Sequence, residues 1–180
     1  MTRTGGRVAA LVALLALLGC SSPLPVASFA GDGKPFDPVT FFQGSIHSWG
    51  VLENRSGQPT DIVRTDGIGV AEGPDGVHFP QQVRVGQEKP SFRDWHMRRV
   101  GPGRYEATAN DMVGTVQGEA AGRAFHWTWT LALHPDNPLT NLSMDQWWYL
   151  QDDGSMLNRT IITKLGIVVA EVTEHFVRTP

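Results

Sequence analysis

The chain has 180 residues, a formal net charge of −3, 41% hydrophobic residues and one cysteine. This balance lacks the strongly basic surface of nucleic-acid-binding proteins, so we expect no nucleic acid partner. A lone cysteine also excludes an internal disulfide.

The first 19 residues predict a lipoprotein signal peptide. Arg3 and Arg7 supply its positive region, residues 9–18 its apolar region, and Leu17-Leu18-Gly19-Cys20 resembles the bacterial lipobox. The alternative, a transmembrane helix, is disfavoured because the apolar run is shorter than the roughly 20 residues needed to span a bilayer.

Cleavage before Cys20 would leave an acylated cysteine, carrying palmitate-type chains, as the mature N-terminus and membrane anchor. Ser21 stands where an Asp would favour retention in the inner membrane. We therefore expect a lipid-anchored protein on the periplasmic face of the outer membrane.

The remaining chain divides into a tether and one domain. Residues 20–38 are rich in Ser, Pro and Gly and predict a flexible tether, and residues 39–180 predict a single β domain. No window of that domain sustains a helical period, and short apolar segments alternate with turn residues. About nine strands are predicted, at residues 42–53, 60–71, 76–85, 92–100, 104–116, 123–133, 143–151, 156–163 and 167–177. Their short connections favour one antiparallel meander curled into a barrel or half-barrel.

The strand predicted from 123 to 133 is the clearest. Phe125, Trp127 and Trp129 alternate with His126 and Thr128, which is the period of a strand with one buried face. Such large side chains need a deep apolar volume opposite them. That volume is either a filled core or a ligand cavity, and the pattern leaves both open.

Two turns set the register of their hairpins. A three-residue loop at Gly101-Pro102-Gly103 places Val100 opposite Arg104 and, further out, Arg93 opposite Asp111. We therefore predict an inward ion pair between Arg93 and Asp111, which is a fair sign of a site.

In the second hairpin, a two-residue turn at Asp153-Gly154 places Leu150 against Leu157 and Trp148 against Arg159, where the guanidinium could stack on the indole. One face then holds Asp145, Trp147 and Asn158. Both faces carry aromatic residues, so this segment alone does not decide which face is inward.

Motifs with known chemistry are missing. The sequence contains no nucleophile elbow, no zinc-binding His-Glu-x-x-His pattern and no phosphate-binding glycine loop. The six histidines are scattered without ligand spacing, at positions 47, 78, 96, 126, 134 and 175. We therefore expect neither a metal nor a cofactor.

The six tryptophans are the remaining signal for a function. They either fill the core or line a pocket for an apolar ligand, with a few polar side chains as anchors. The candidate ligand-binding residues are Arg93, Trp95, Asp111, Trp127, Trp129, Asp145, Trp147 and Asn158.

A series of short motifs along the domain resembles a bacterial lipoprotein family, domain of unknown function 3833. The matching pieces are Phe41-Phe42-x-Gly44 with Trp49-Gly50, Arg93-x-Trp95, Gly103-Arg104-Tyr105-Glu106, Ala109 to Gly114, Trp127 to Leu133, Asp145-Gln146-Trp147, Leu157-Asn158-Arg159 and Lys164-Leu165-Gly166. The resemblance implies a location and a fold rather than an activity. The opening with Gly44 and Trp49 is also similar to that of lipocalins, which implies a lipocalin-like barrel or half-barrel.

Three functions remain open. The first is a lipoprotein that binds an apolar ligand such as a fatty acid or modified lipid. The second is a cofactor-free enzyme acting on a lipid or isoprenoid, with Asp111 or Asp145 as its general acid. The third is an envelope scaffold with a closed core.

Overall fold

Alternating apolar and polar side chains build ten antiparallel strands in the computed structural model, which describes residues 24–179. The strands are β1 (Gly44–Asn54), β2 (Pro59–Ala71), β3 (Gly76–Val85), β4 (Ser91–Gly101), β5 (Arg104–Thr108), β6 (Val116–Ala121), β7 (Ala124–Leu131), β8 (Leu142–Leu150), β9 (Met156–Lys164) and β10 (Ile167–Thr179). Each strand pairs with its neighbours in the chain, and β1 also pairs with β10, which closes a barrel. The predicted mostly β, antiparallel barrel is confirmed.

The period of two decides which side chains fill the barrel. On β7, Phe125, Trp127 and Trp129 are almost completely buried, while His126 and Thr128 face outward. The predicted signal peptide, residues 1–19, and the predicted acylation site Cys20 lie outside the described residues. No helical segment between residues 24 and 179 has the length and apolar character that crossing a membrane requires.

The tenth strand, β6, occupies the stretch between the predicted strands at 104–116 and 123–133, which we expected to be a short connection. Gly118 faces the barrel interior, and a Cβ there would lie 2.5 Å from the ring of Phe125. The glycine therefore makes room for an aromatic ring inside the sheet rather than marking a turn. The chain instead leaves the sheet between Thr108 and Val116, where Gly114 has a positive φ of 71°.

The β4–β5 hairpin keeps most of its predicted register. Met97 pairs with Ala107 and Arg99 with Tyr105, as expected, but Gly101 rather than Val100 pairs with Arg104. A register irregularity between Arg99 and Gly101 takes up the extra residue, so the loop contains two residues instead of three.

The predicted register of the β8–β9 hairpin is wrong by one residue. Leu150 pairs with Met156, because the turn spans Gln151 to Ser155 and is closed by a hydrogen bond from Gln151 N to Ser155 O. Trp148 therefore lies opposite Asn158 rather than Arg159. The predicted stacking of Arg159 on Trp148 is also wrong. Arg159 points outward and binds Glu171 through two hydrogen bonds of 2.5 and 2.7 Å.

The segment before β1 closes one end of the barrel. Helix α1 (Pro38–Phe41) follows a buried Phe36 and leads into Phe42, whose ring lies 5.0 Å from that of Phe79 and 5.5 Å from that of Trp148. Val26, Phe36 and Pro38, which belong to the stretch predicted as a tether, are buried, while residues 30–35 of the same stretch are exposed.

Asp37 holds this closing segment in place. Its carboxylate caps α1 by accepting from Val39 N and Thr40 Oγ1, and it also accepts from Arg99 at 2.5 Å and from Tyr105 at 3.2 Å. Burial would raise the pKa of Asp37, but these hydrogen bonds and the Arg99 charge outweigh it and hold the pKa below its ordinary value. The closing segment is therefore attached through an ionised carboxylate at neutral pH.

Candidate functional site

The barrel interior is divided into a filled half and an open half. Toward the closed end, the rings of Phe36, Phe41, Phe42 and Phe125 pack edge to face. Toward the other end lies a cavity of about 480 Å³, which is within the size range of small-molecule sites. The sequence left open whether the interior is a filled core or a cavity. The barrel contains both, with the filled core at the closed end and the cavity at the other.

The cavity wall is mainly apolar. Its larger apolar side chains are Phe42, Phe79, Trp95, Met97, Trp127, Met144, Trp148 and Phe176, and its polar ones include Thr65, Gln81, Glu88, Arg93, Gln146, Thr160 and Glu174. Leu133 lies at the end opposite the closing segment, lines the cavity and is 49% exposed, so it marks the mouth. A ligand would enter there and meet a mostly apolar wall with few polar groups.

Gln146 organises the tryptophan wall. Its side-chain oxygen accepts from the indole nitrogens of Trp127 at 2.8 Å and of Trp129 at 2.6 Å, while its nitrogen donates to Thr160 Oγ1 at 2.9 Å. Trp95 stacks on Trp127 with ring centroids 5.0 Å apart. One buried amide therefore fixes the orientation of two indoles, and stacking positions the third.

Arg93 is the cation in the wall. Its Nε donates to both oxygens of Asp111, at 2.9 and 2.8 Å, and its guanidinium carbon lies 4.7 Å from the ring centroid of Trp129. The ion pair predicted between Arg93 and Asp111 is present, although β5 ends before Asp111. Neither Nη group of Arg93 has a hydrogen-bond partner among the described residues, so both can bind a ligand.

Glu174 is a buried acid in the same wall. Its Oε1 accepts from Ser48 Oγ at 2.6 Å and from Thr65 Oγ1 at 3.0 Å, and the residue is 8% exposed. Burial raises the pKa of Glu174, because the hydrogen bonds from Ser48 and Thr65 and the charge of Arg93 offset only part of the desolvation cost.

One donor in the wall has no partner. The indole nitrogen of Trp148 is buried and makes no hydrogen bond with any residue from 24 to 179. Buried polar groups in folded proteins are nearly always paired, so this nitrogen is an exception, and its exposed area below 1 Å² places it out of reach of a ligand in the cavity.

Comparison with known families identifies the chain. The family model described as "Protein of unknown function (DUF3833)" matches residues 14–178. The chain belongs to the DUF3833 family. The match confirms the resemblance drawn from the short motifs, and no curated protein matches the sequence.

Two solved structures have a fold similar to the barrel of this DUF3833 protein. The S-type phycobiliprotein lyase CPES from Guillardia theta has a TM-score of 0.57 at 9% identity, over 79% of this chain and 90% of that one. Rv2717c from M. tuberculosis has a TM-score of 0.56 at 16% identity, over 81% of this chain and 99% of that one. At these identities the likeness concerns the fold, which is lipocalin-like as predicted.

The predicted site residues of the DUF3833 barrel separate into three groups. Arg93, Trp95 and Trp127 line the cavity. Asp111, Trp129 and Asn158 do not line the cavity themselves; Asp111 holds Arg93, and Trp129 contacts both Arg93 and Trp95. Asn158 is buried and donates to the backbone oxygen of Trp147 at 3.1 Å.

The remaining two, Asp145 and Trp147, lie on the outer surface of β8. Asp145 is 2.5 Å from His126 Nε2, and Trp147 stacks on the ring of the same histidine. They therefore do not line the cavity, and Asp145 cannot act there as the general acid that we considered. Asp111 is also unsuited to that role, because both its oxygens accept from Arg93.

Sequence reasoning missed Glu174 and Gln146. On β10, Glu174 alternates with the inward Val172 and Phe176, so the period of two contained the signal for a buried acid. Gln146 alternates in the same way with Met144 and Trp148 on β8. The inward face of that hairpin is not decided by its own aromatic residues, so the alternation did not single out the glutamine.

Proposed function

We propose that this protein binds an apolar ligand with a carboxylate head group, such as a fatty acid or modified lipid, inside the barrel. The observation that carries the proposal is the mainly apolar cavity of about 480 Å³ with Arg93 in its wall. Lipocalin-like barrels host both binders and enzymes, so the fold alone does not decide the activity. The proposal therefore depends on the cavity.

The wall favours a lipid over a polar metabolite. Most of its surface comes from aromatic and aliphatic side chains, which stabilise hydrocarbon by about 25 cal/mol for each Å² removed from water. A sugar or nucleotide would leave most of its polar groups without partners there, at a cost of about 1–3 kcal/mol each.

Arg93 supplies the head-group contact. Asp111 occupies only Nε, so the Nη groups can donate to a ligand carboxylate, and the Trp129 ring beneath holds the guanidinium in place. Glu174, with its pKa raised by burial, resists ionisation and so opposes a ligand carboxylate less than an ordinary acid would.

The test is ligand binding by the barrel, residues 24–179. We expect native mass spectrometry to find co-purified lipid and calorimetry to detect binding of a long-chain fatty acid to delipidated protein. Val172→Trp places a large side chain in the cavity wall and should weaken binding at least tenfold, whereas Thr173→Trp, on the outer face of the same strand, should not.

A second variant tests whether Arg93 binds the ligand carboxylate. Arg93→Gln should weaken binding of a fatty acid about tenfold or more, because hydrogen bonds to charged groups contribute roughly 1.5–3 kcal/mol. Binding of the matching fatty alcohol should change far less. An empty barrel that binds no fatty acid in either assay would refute the proposal.

The proposed location is the periplasmic face of the outer membrane, with the chain held by acyl groups on Cys20. The support is the signal-peptide pattern and the Ser at position 21. A Cys20→Ser variant should lose metabolically labelled palmitate and leave the outer-membrane fraction. Labelling that persists in this variant would contradict the acylation site.

A further inference from the structure

A cluster of histidine and carboxylate side chains lies on the outer face of β3 and β4, on the opposite side of the sheet from the cavity. His78 and His96 are direct cross-strand partners, and their rings stack with centroids 4.4 Å apart and planes 7° from parallel. Asp94 precedes His96 by two residues and therefore shares its face, where it lies 2.5 Å from His78 Nε2.

These three side chains bring their ligand atoms within 4.8 Å of one another. Two atoms bound to one zinc ion at about 2.0–2.1 Å in a tetrahedral arrangement are roughly 3.4 Å apart. Small side-chain rotations would therefore bring the three into coordination, while the paired strands keep their backbones fixed.

Glu72 orients one of the two imidazoles. Its carboxylate lies 3.0 and 3.1 Å from His96 Nδ1, so this nitrogen is positioned to donate a hydrogen bond to it. Within the described part of the chain, His96 Nε2 has no hydrogen-bond partner. A carboxylate behind a histidine, with the other ring nitrogen free, is the usual support of a metal-bound imidazole because it fixes the tautomer and raises the basicity.

The site is accessible to ions from solvent. The side chains of His78, Asp94 and His96 are 33%, 49% and 48% exposed. Among residues 24–179, no other three side chains of the types that bind metals meet in this way. The other outward histidine–carboxylate pairs, His47 with Asp66 and His126 with Asp145, each contain a single imidazole.

We propose that His78, His96 and Asp94 bind a transition-metal dication of the zinc type, with Glu72 as the positioning residue. Two imidazoles and one carboxylate suit Zn²⁺, Ni²⁺ or Cu²⁺, whereas Mg²⁺ and Ca²⁺ prefer oxygen ligands alone. Three protein ligands leave a fourth position for water or for a group supplied by another molecule. This inference is independent of the proposed lipid binding.

The test is calorimetric titration of Zn²⁺ into the full chain, solubilised in a non-ionic detergent. One saturable site is expected, and excess Mg²⁺ should not compete for it. His78→Ala and His96→Ala should each weaken binding at least tenfold, and Glu72→Gln should weaken it by about 10-fold to 100-fold, as loss of a supporting carboxylate does elsewhere.

His126→Ala is the matched control, since it removes an outward histidine that also contacts a carboxylate. It should leave Zn²⁺ affinity unchanged, and circular dichroism should find every variant folded. The proposal is overturned if wild-type protein shows no saturable Zn²⁺ binding. It is equally overturned if the His78 and His96 variants bind as tightly as the control.

Discussion

Replacing Gln146 with Leu is expected to lower the free energy of unfolding by roughly 2–5 kcal/mol. The substitution keeps the side-chain volume nearly constant but removes the acceptor for the indole nitrogens of Trp127 and Trp129, both of which are buried. Each buried donor left without a partner costs about 1–3 kcal/mol. Urea denaturation followed by tryptophan fluorescence measures the effect.

A control for this change is Gln117→Leu, on the exposed face of β6. That glutamine donates to Glu106 at 2.9 Å, so its loss also removes a hydrogen bond, but at the surface. We expect a change within about 0.5 kcal/mol. If the two variants are equally stable, Gln146 does not organise the tryptophan wall.

Replacing Glu174 with Gln is expected to stabilise the protein by about 2 kcal/mol at pH 8, because the substitution removes a buried charge. The gain should be far smaller at pH 4. Burial raises the pKa of Glu174 in the folded state, while in the unfolded chain it ionises near the ordinary value of about 4.3. Between these two pKa values the folded state holds the extra proton, so wild-type stability falls as pH rises through the folded pKa.

The Glu174→Gln variant carries no charge at this position at any pH, so it should lack this fall. Urea denaturation at pH 4, 6 and 8 tests the prediction, with Glu119→Gln on the exposed face of β6 as the control. The control should keep the wild-type pH dependence. A Glu174→Gln variant that follows the same pH curve as wild type would mean that this carboxyl does not ionise differently in the folded state.

The candidate site was only partly predictable from the sequence. Arg93 and Asp111 were paired correctly because the predicted register of the β4–β5 hairpin holds at Met97 and Ala107, although Asp111 itself lies beyond the end of β5. Asn158 and Asp145 were wrongly predicted to share a face. The observed turn pairs Leu150 with Met156 instead of Leu157, and this shift of one residue exchanges the two faces of β9 relative to those of β8.

The proposed metal-binding cluster was not predictable from the sequence for a different reason. His78 and His96 are 18 positions apart, and each was considered alone, so their spacing resembled no metal motif. Only the pairing of β3 with β4 places the two rings face to face.

The alternation of apolar and polar residues was sufficient to predict an antiparallel β barrel and its tryptophan-rich interior, because the side-chain period of a strand is a local property of the backbone. Which of those side chains surround empty space, and which strands close the ring, depended on contacts between residues far apart in the chain. The segment before β1 fills one end with Phe36, Phe41 and Phe42, and the pairing of β1 with β10 joins the two ends of the sheet. A cavity is the volume that such contacts leave unfilled, so only the tertiary structure could locate it.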